Sequence, residues 1–409
     1  MNIWIINHHA LTPDMSGGTR HYDFAKELIK KGHSVTIIAS SFHYSKFIEM
    51  KDYGSKDYLV ENIDSINFIW FKTPSYIGNG VGRIKNMLNF SYKISSIIPS
   101  LKLKKPDIII GSTVHLFAVY SAYRLSQTYK VPFVMEVRDL WPQTLIDMGI
   151  SKWHPFIILL GILEKYLYKK ADKIITLLPK ANIYMEKLGI NKDKIVWISN
   201  GTAYDGIVKS NEELLPKNKF NILYTGAIGL VNNIELFVKI ANQLKNNDKY
   251  HFTIVGNGPQ KENIQKISKE FNLTNITFID AVAKQKIYSY LNEADLLYIS
   301  SNNSSLYKYG VSQNKLYDYM ASSKPVLYVG TIEDNIVQLA NAGIIIEEHN
   351  EDKIAQKIID ISSLSQEEYN QYGKNGKEYI KNNFSIKYLS KKLEQLLKNE
   401  VTKYAKKII

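Results

Sequence analysis

Three side chains suited to binding phosphate and hydroxyl groups share one short stretch. "YGVSQNKLYDYMASSKPVLYVG" (309–330) carries Asn314, Lys315 and Asp318. At helical spacing Asn314 and Asp318 lie one turn apart on the same face. The amide and the ammonium donate hydrogen bonds, and the carboxylate only accepts them. The stretch ends in Pro325 and "VLYV", an apolar run that reads as a buried strand. Polar groups held that close to a core need a partner, from the protein or from a ligand.

Three other segments carry candidate chemistry. "PDMSGGTRH" (13–21) joins an apolar run to a helical pattern, and Gly17 and Gly18 allow close backbone approach. The helix behind them favours an anion, with Arg20 and His21 in its first turn, although a plain tight turn would read the same way. "VGNGPQKENI" (255–264) repeats the arrangement with Gly256 and Gly258. It is not G-x-G-x-x-G and no P-loop is present, so hydride transfer and nucleotide hydrolysis have no motif. "MEVRDLWPQT" (135–144) gathers Glu136, Arg138, Asp139 and Trp141 at the end of a predicted strand. Either an Arg–Asp pair closes a loop there, or these groups recognise a sugar with Trp141 as an apolar wall.

Other chemistries are excluded or lack a signal. The chain has no cysteine, which removes disulfides, thiolate catalysis and Cys-based zinc sites. No Asp-x-Asp motif is present, the one acidic pair at that spacing being Glu293 and Asp295, and His8, His9, His21, His115 and His154 show no metal-ligand spacing. His8 and His9 are expected to end a strand and point to opposite faces.

The elements that must position these residues alternate. "NIWIIN", "SVTIIAS", "PDIIIGS", "PFVMEVRD" and "DKIITLL" are short apolar strands separated by helical patterns. Such runs, buried on both faces, predict a parallel, doubly wound α/β sheet. The pattern restarts after "ISNGTAYDGI" (198–207) with "FNILYTG", "YHFTIVG", "NITFID", "DLLYIS" and "PVLYVG". With 409 residues the chain divides into a first domain (1–199), a second (200–385) and a terminal helix (386–409). Ligands of open α/β sheets bind outside the strand C-terminal ends, so the cleft between the two sheets is the default site.

Net charge is +13, and residues 1–200 carry 26 Lys and Arg against 16 Asp and Glu. That excess fits a solvated surface, an anionic membrane or a phosphorylated substrate. The basic residues are scattered and no nucleic-acid module is visible, so nucleic acid is not an expected partner. No secretory signal is evident, and the longest apolar stretch, "FIILLGIL" (156–163), is too short to span a bilayer. With Trp153 before it and Lys169–Lys170 after it, the segment reads as a core helix or as an interfacial one.

Taken in order, "GG", "EVRDLWP", "ADKIIT", "ISNGTAYD", "LYTGAIG", "VGNGPQKENI", "EADLLYIS" and "YGVSQNKLYDYMASSKPV" make the chain resemble, nearly end to end, a family 4 glycosyltransferase of the GT-B fold. More narrowly it resembles bacterial N-acetylfucosaminyltransferase-like enzymes of O-antigen and capsule assembly. The resemblance implies two facing Rossmann-like domains, with a last helix that crosses back to the first. It also implies metal-independent, retaining transfer from a UDP-sugar, a co-substrate, with no cofactor. The resemblance further implies a lipid-linked saccharide acceptor and a cytoplasmic protein, peripheral on the anionic inner face of the cytoplasmic membrane.

Residue by residue, the resemblance gives Asp318 the ribose hydroxyls and Lys315 the diphosphate, with Arg138 and Asp139 on the reacting sugars. It assigns donor binding to Gly17, Gly18, Gly226, Gly256, Gly258, Ile279, Asp280, Ser312, Asn314 and Leu316. Acceptor contacts fall to His21, His115 and Trp141. The chain departs from the family where Gly310 takes the place of the first acidic residue and where Ala227 and Asn232 replace a basic pair. Lys315, Lys308 and Arg138 are the expected substitutes for that charge. The competing readings are a GT-B-shaped nucleotide-sugar 2-epimerase and a non-catalytic GT-B subunit.

Overall fold

The first apolar run becomes the centre of a sheet. In the computed structural model, which describes residues 1–15, 17–78, 80–113, 115–206, 212–301 and 305–408, strand β1 (Asn2–Ile6) is flanked on both sides. Its neighbours are β2 (Ser34–Ser40) and, after a small ribbon of β3 (Phe42–His43) and β4 (Ile48–Glu49) and a hairpin of β5 (Tyr58–Ile63) and β6 (Ile66–Phe71), β7 (Ile108–Ser112). Then come β8 (Phe133–Val137), β9 (Lys173–Thr176) and β10 (Ile195–Trp197), giving the order β10-β9-β8-β7-β1-β2-β6-β5. Along β1, Trp4 and Ile6 enter one core layer while Ile3 and Ile5 enter the other, which is why the run reads as continuously apolar.

Only β5 is antiparallel in this sheet, paired with β6 through a turn at Asp64 and Ser65, both at positive φ. That is the hairpin turn whose twist suits flanking strands.

The second sheet is wholly parallel. It holds β11 (Phe220–Thr225), β12 (Tyr250–Val255), β13 (Ile276–Ile279), β14 (Leu296–Ser300), β15 (Val326–Val329) and β16 (Gly343–Ile346), ordered β13-β12-β11-β14-β15-β16. Helices cover both of its faces.

Two crossings join the domains, and they pair with each other. Thr202 donates to Phe384 O at 3.1 Å, and Ile386 donates back to Thr202 O at 2.9 Å. After the second crossing, the Ile386–Ile408 helix lies against the Arg20–Lys30 helix and adds Ile386, Leu389, Leu393, Leu396 and Leu397 to the first domain's core. Glu394 fixes its register by an ion pair to Lys31 at 2.9 Å and a hydrogen bond with His33 Nε2 at 3.0 Å. Hydrogen bonds from Lys398, Lys31 and His33 hold its carboxyl down at about 2.

A candidate active site between the two sheets

The C-terminal ends of both sheets face a common cleft, which contains two cavities. The smaller, about 330 Å³, brings together Arg138 and Asp139 from the end of β8 with Gly310, Ser312 and Asn314 from the second domain. The Arg138 backbone is fixed by its N–H donating to Thr113 Oγ1 at 2.8 Å. Its guanidinium makes no hydrogen bond or ion pair among the described residues, and neither do the side chains of Asp139 and Asn314. Of the two alternatives for this segment, the Arg138–Asp139 pair is therefore absent among the described residues, and both groups line the cavity. Surrounding protein pushes the Asp139 carboxyl up and Arg138 draws it back. Asp139 nonetheless remains exposed at the cavity mouth.

Above this cavity the domains nearly touch: a Cβ on Gly18 would lie 3.0 Å from Asn314 Nδ2. Asn314 opens an eight-residue helix, Asn314–Ala321, whose free amides point the same way. Ser312 is partly used for structure, since Asn200 of the first crossing donates to its Oγ at 3.0 Å and to its carbonyl at 3.1 Å.

Lys315 reaches into the second sheet's mouth. Its Nζ donates to Tyr224 Oη at 2.8 Å and to Asn232 Oδ1 at 2.9 Å, and lies 4.4 Å from the centre of the Tyr224 ring. A Cβ on Gly226 would meet that amine at 3.0 Å. Asn232, where the sequence lacks a basic residue, thus holds a lysine brought from another helix. No carboxylate is near, and burial alone pushes the amine down to about 7.

The larger cavity, about 1030 Å³, lies between the Arg20–Lys30 helix and the Lys284–Glu293 helix. None of the residues singled out from sequence lines it. Lys284 Nζ reaches across the cleft to Thr19 Oγ1 at 3.3 Å, and Thr19 donates to Asp23 at 2.6 Å. Asp318 abuts the cavity wall by accepting from Thr202, and its second oxygen makes no hydrogen bond among the described residues. Burial pushes the Asp318 carboxyl up, with Lys284 and Thr202 opposing. Burial would lower Lys284, but Asp318, then Tyr288 and Asp23, outweigh it and hold the ammonium above its ordinary value. Tyr288 stacks on Tyr204 at 4.2 Å with only 2° between the rings, making a flat wall.

Several assignments are corrected. His21 is not at the cleft surface: its Nε2 bonds Glu136 at 2.8 Å and Ser112 at 3.1 Å, while Arg20 clamps the same carboxylate and donates to the carbonyls of Ile198 and Ser199. Burial pushes Glu136 up, but Arg20 and His21 outweigh it and hold the carboxyl well below its usual range. His115 is fully buried, capping the Leu116–Tyr129 helix and bonded to His8 at 2.8 Å; burial pushes its imidazole down to about 3. Trp141 packs against the first domain's core and is no part of either cavity wall.

In the second domain, Leu316 is a core residue. Asp280 is 80% exposed and ion-paired with Lys261, and Ile279 joins the core beneath it. Gly256 and Gly258 are required by neighbouring backbone, since a Cβ on either would strike Gly226 O or Ile228 O. Gly17, at φ +137, has Leu11 where a side chain would be. Lys308 is exposed, its amine over the Tyr309 ring rather than in the cleft. Because β1 ends at Ile6, His8 and His9 stand in the following turn with their rings stacked at 4.3 Å, not on opposite faces of a strand. Among the described residues no three His, Asp or Glu side chains are gathered as a metal-binding group.

Sequence reading missed Thr19, Asp23, Thr202, Lys284 and Tyr288. Only Thr19, next to the paired glycines, carried a local signal; the others are brought together by folding over long sequence separation within the second domain and by how the two domains dock.

Comparison with known proteins agrees with this architecture. The family described as Glycosyltransferase Family 4 matches residues 16–205, and Glycosyl transferases group 1 matches residues 207–379. The putative colanic acid biosynthesis glycosyl transferase WcaI of Escherichia coli K12 is 24% identical over 284 residues, 65% of this chain and 69% of that protein. Among solved structures, sucrose-phosphate synthase of Thermosynechococcus elongatus superposes with a TM-score of 0.75 at 16% identity, over 97% of this chain and 98% of the other. HepE of Anabaena, solved with UDP and glucose, superposes at 0.69 and 13% identity, over 97% and 99%. The two family matches adjoin at the first crossing and fall one on each domain, and the chain belongs to the family 4 glycosyltransferases of the GT-B fold.

Proposed function

We propose that the protein transfers a sugar, an N-acetylated hexosamine, from a UDP-sugar to a lipid-linked saccharide in the assembly of bacterial O-antigen or capsule, with retention at the anomeric carbon. The observation that carries this reading is Lys315: a half-buried residue whose amine lies at Gly226 with no carboxylate beside it among the described residues, on the helix whose open amide end and Asn314 face Gly18. A diphosphate leaving group gains charge in the transition state, and preorganised donors there act on that charge directly. Arg138 and Asn314 supply further donors that have no side-chain partner among the described residues.

The nucleoside occupies the larger cavity, with the ribose hydroxyls donating to Asp318 and the base beside Tyr288 and Lys284. The sugar lies over the smaller cavity, where Asp139 accepts from its hydroxyls. The departing phosphate oxygen takes the acceptor's proton, so no side-chain base is assigned and no metal is required. Support from relatives is coarser: HepE binds UDP and glucose, and WcaI is named for colanic acid, a surface polysaccharide.

An anionic inner-membrane surface is the proposed partner of the first domain. The Pro155–Lys170 helix buries Ile157, Leu160 and Leu167 but exposes Ile158, Leu159 and Ile162, with Trp153 exposed just before it. Lys152 and Lys170 flank this apolar strip, as an interfacial helix requires. No helix among the described residues is long and apolar enough to cross a membrane. Pelleting with phosphatidylglycerol vesicles at low salt, lost in Ile162→Glu, is the expected result; failure of the wild type to pellet rejects this partner.

The donor assignment is tested by a thermal-shift panel of UDP, GDP, ADP, CMP and their common sugars on the wild type and Asp318→Ala. A shift with UDP that disappears in the variant is expected. No shift with any nucleotide overturns the reading.

A further inference from the structure

One residue of the second domain belongs to the first domain's core. Tyr309 is buried within a cluster otherwise built from residues 4–190, with its ring 5.7 Å from that of Tyr184 at 61°. Tyr184 is itself anchored, its hydroxyl donating at 2.9 Å to Glu164, a buried carboxyl that burial pushes up to about 8. The backbone around Tyr309 is held by the same domain. Lys180 N–H donates to Tyr309 O at 3.1 Å. Gly310 sits at φ +86 with Pro179 where its side chain would be, 2.4 Å from an ideal Cβ. Ser312 is tied to Asn200 on the crossing. Residues 309, 310 and 312 are therefore all fastened to the first domain or its exit, two residues before the helix that carries Asn314, Lys315 and Asp318.

We propose that Tyr309 is a positioning residue: a peg that fixes the start of the Asn314–Ala321 helix against Arg138 and Asp139, so that both halves of the site are set from one domain. Glycine at position 310 follows from this arrangement, because any side chain there would push the segment off Pro179. The peg acts on the reacting end of the site and leaves the UDP contacts alone, since Lys315 is held by Tyr224 and Asn232, Asp318 is held by Thr202, and the Lys284 cavity touches neither Tyr309 nor Pro179. The kinetic part of the proposal rests on the UDP-sugar reading; the structural part does not.

The test uses the full chain as Tyr309→Ser, Tyr309→Phe and Gly310→Ala, each checked for a cooperative melt. Amide hydrogen exchange is the substrate-free measurement. Exchange over residues 310–314 is expected to quicken in Tyr309→Ser and Gly310→Ala, with Tyr309→Phe like the wild type and the second sheet unchanged. UDP release from UDP-N-acetylglucosamine is the kinetic one. In the same two variants kcat is expected to fall about tenfold or more, as for a reacting centre displaced by a fraction of an ångström, while the Kd for UDP stays within about twofold. Unchanged exchange in residues 310–314 overturns the peg whatever the substrate. Equal loss of UDP affinity and kcat overturns its restriction to the reacting end. If exchange quickens but the wild type binds no UDP, the peg stands and the donor assignment falls.

Discussion

Lys284 and Lys315 sit at opposite ends of the site, each at the start of a helix of the second domain and each drawn into the protein, and their charges are treated in opposite ways. Lys284 has Asp318 and Asp23 for neighbours and is held above its ordinary pKa. Lys315 has only a phenol, a ring face and an amide oxygen, and burial pushes it down to about 7. The first lysine is already neutralised by its own protein. The second is arranged for an anion that must come from outside. A nucleotide-sugar asks for this division, with uncharged hydroxyls and a base at one end and a diphosphate at the other.

The largest effect should come from removing the unneutralised amine. Lys315→Met is expected to lower turnover of UDP-N-acetylglucosamine by about 10²–10³-fold, the scale seen when one transition-state donor is deleted. The folded protein should become more stable near neutrality, because the substitution relieves a buried amine of its desolvation penalty. Turnover and thermal melts on one preparation check both. A stability loss together with full activity would mean that Lys315 is a structural residue.

Asp318→Ala attacks the other end, and its stability effect should have the opposite sign. It removes the carboxylate facing Lys284 and leaves that ammonium with Asp23 alone, so the protein is destabilised. UDP affinity, read by calorimetry, should fall roughly 10- to 100-fold, as expected for charge-assisted hydrogen bonds to two ribose hydroxyls. If Asp318→Ala lowers stability but leaves UDP affinity intact, the carboxylate serves only Lys284.

A smaller effect follows from pH. In the free protein Lys315 is close to half-protonated at about pH 7. A bound diphosphate favours the ammonium, so binding takes up protons. UDP affinity should be highest below about 7 and fall as pH rises, by at most about tenfold per unit for one coupled proton. Lys284 stays charged throughout, so Lys315→Met should flatten the profile and Asp318→Ala should not. The same amine affects stability in a defined direction. Its folded value lies below its unfolded value of about 10.5, so the unfolded chain holds more protons from about 7 to about 10.5, and stability from this group rises with pH across that window.

How much of this was legible in the sequence depended on range. The parallel strands were, because strands buried on both faces read as unbroken apolar runs, as in "NIWII" and "VLYV". The β5–β6 hairpin was not, since Asp64 and Ser65 adopt positive φ without the glycine that usually announces such a turn. Arg138, Asp139, Asn314 and Lys315 were found because each lies at a strand end or helix start, and local pattern marks those places. Lys284, Tyr288 and Thr202 were not, because their nearness to Asp318 comes from folding over long sequence separation within the second domain, and their nearness to Asp23 from domain docking. His8 and His9 were misread by the length of two residues: the strand stops at Ile6, and alternation stops with it.

A third lysine sharpens the contrast from below. Lys261 opens a helix after a glycine-containing turn, as a phosphate-binding lysine would, yet its amine is paired with Asp280 and hydrogen-bonded to Asn257 at 2.8 Å. Asp280 is open to solvent, and the Lys261 hydrogen bond and charge hold its carboxyl below the usual range. An exposed pair of this kind contributes little to stability and is weakened by salt. Asp280→Ala should therefore leave the melting midpoint, the UDP affinity and its pH profile where they are in the wild type. The glycines beside Lys261 point the same way, since Gly256 and Gly258 are filled from behind by the backbone of Gly226 and Ile228 rather than left open for a ligand. Should Asp280→Ala instead weaken UDP, the nucleoside would have to reach past the Lys284–Tyr288 wall to the β13 end of the sheet. The base would then be read by Lys261 and Asp280, and Lys284 would be left as a clasp between the domains through Thr19.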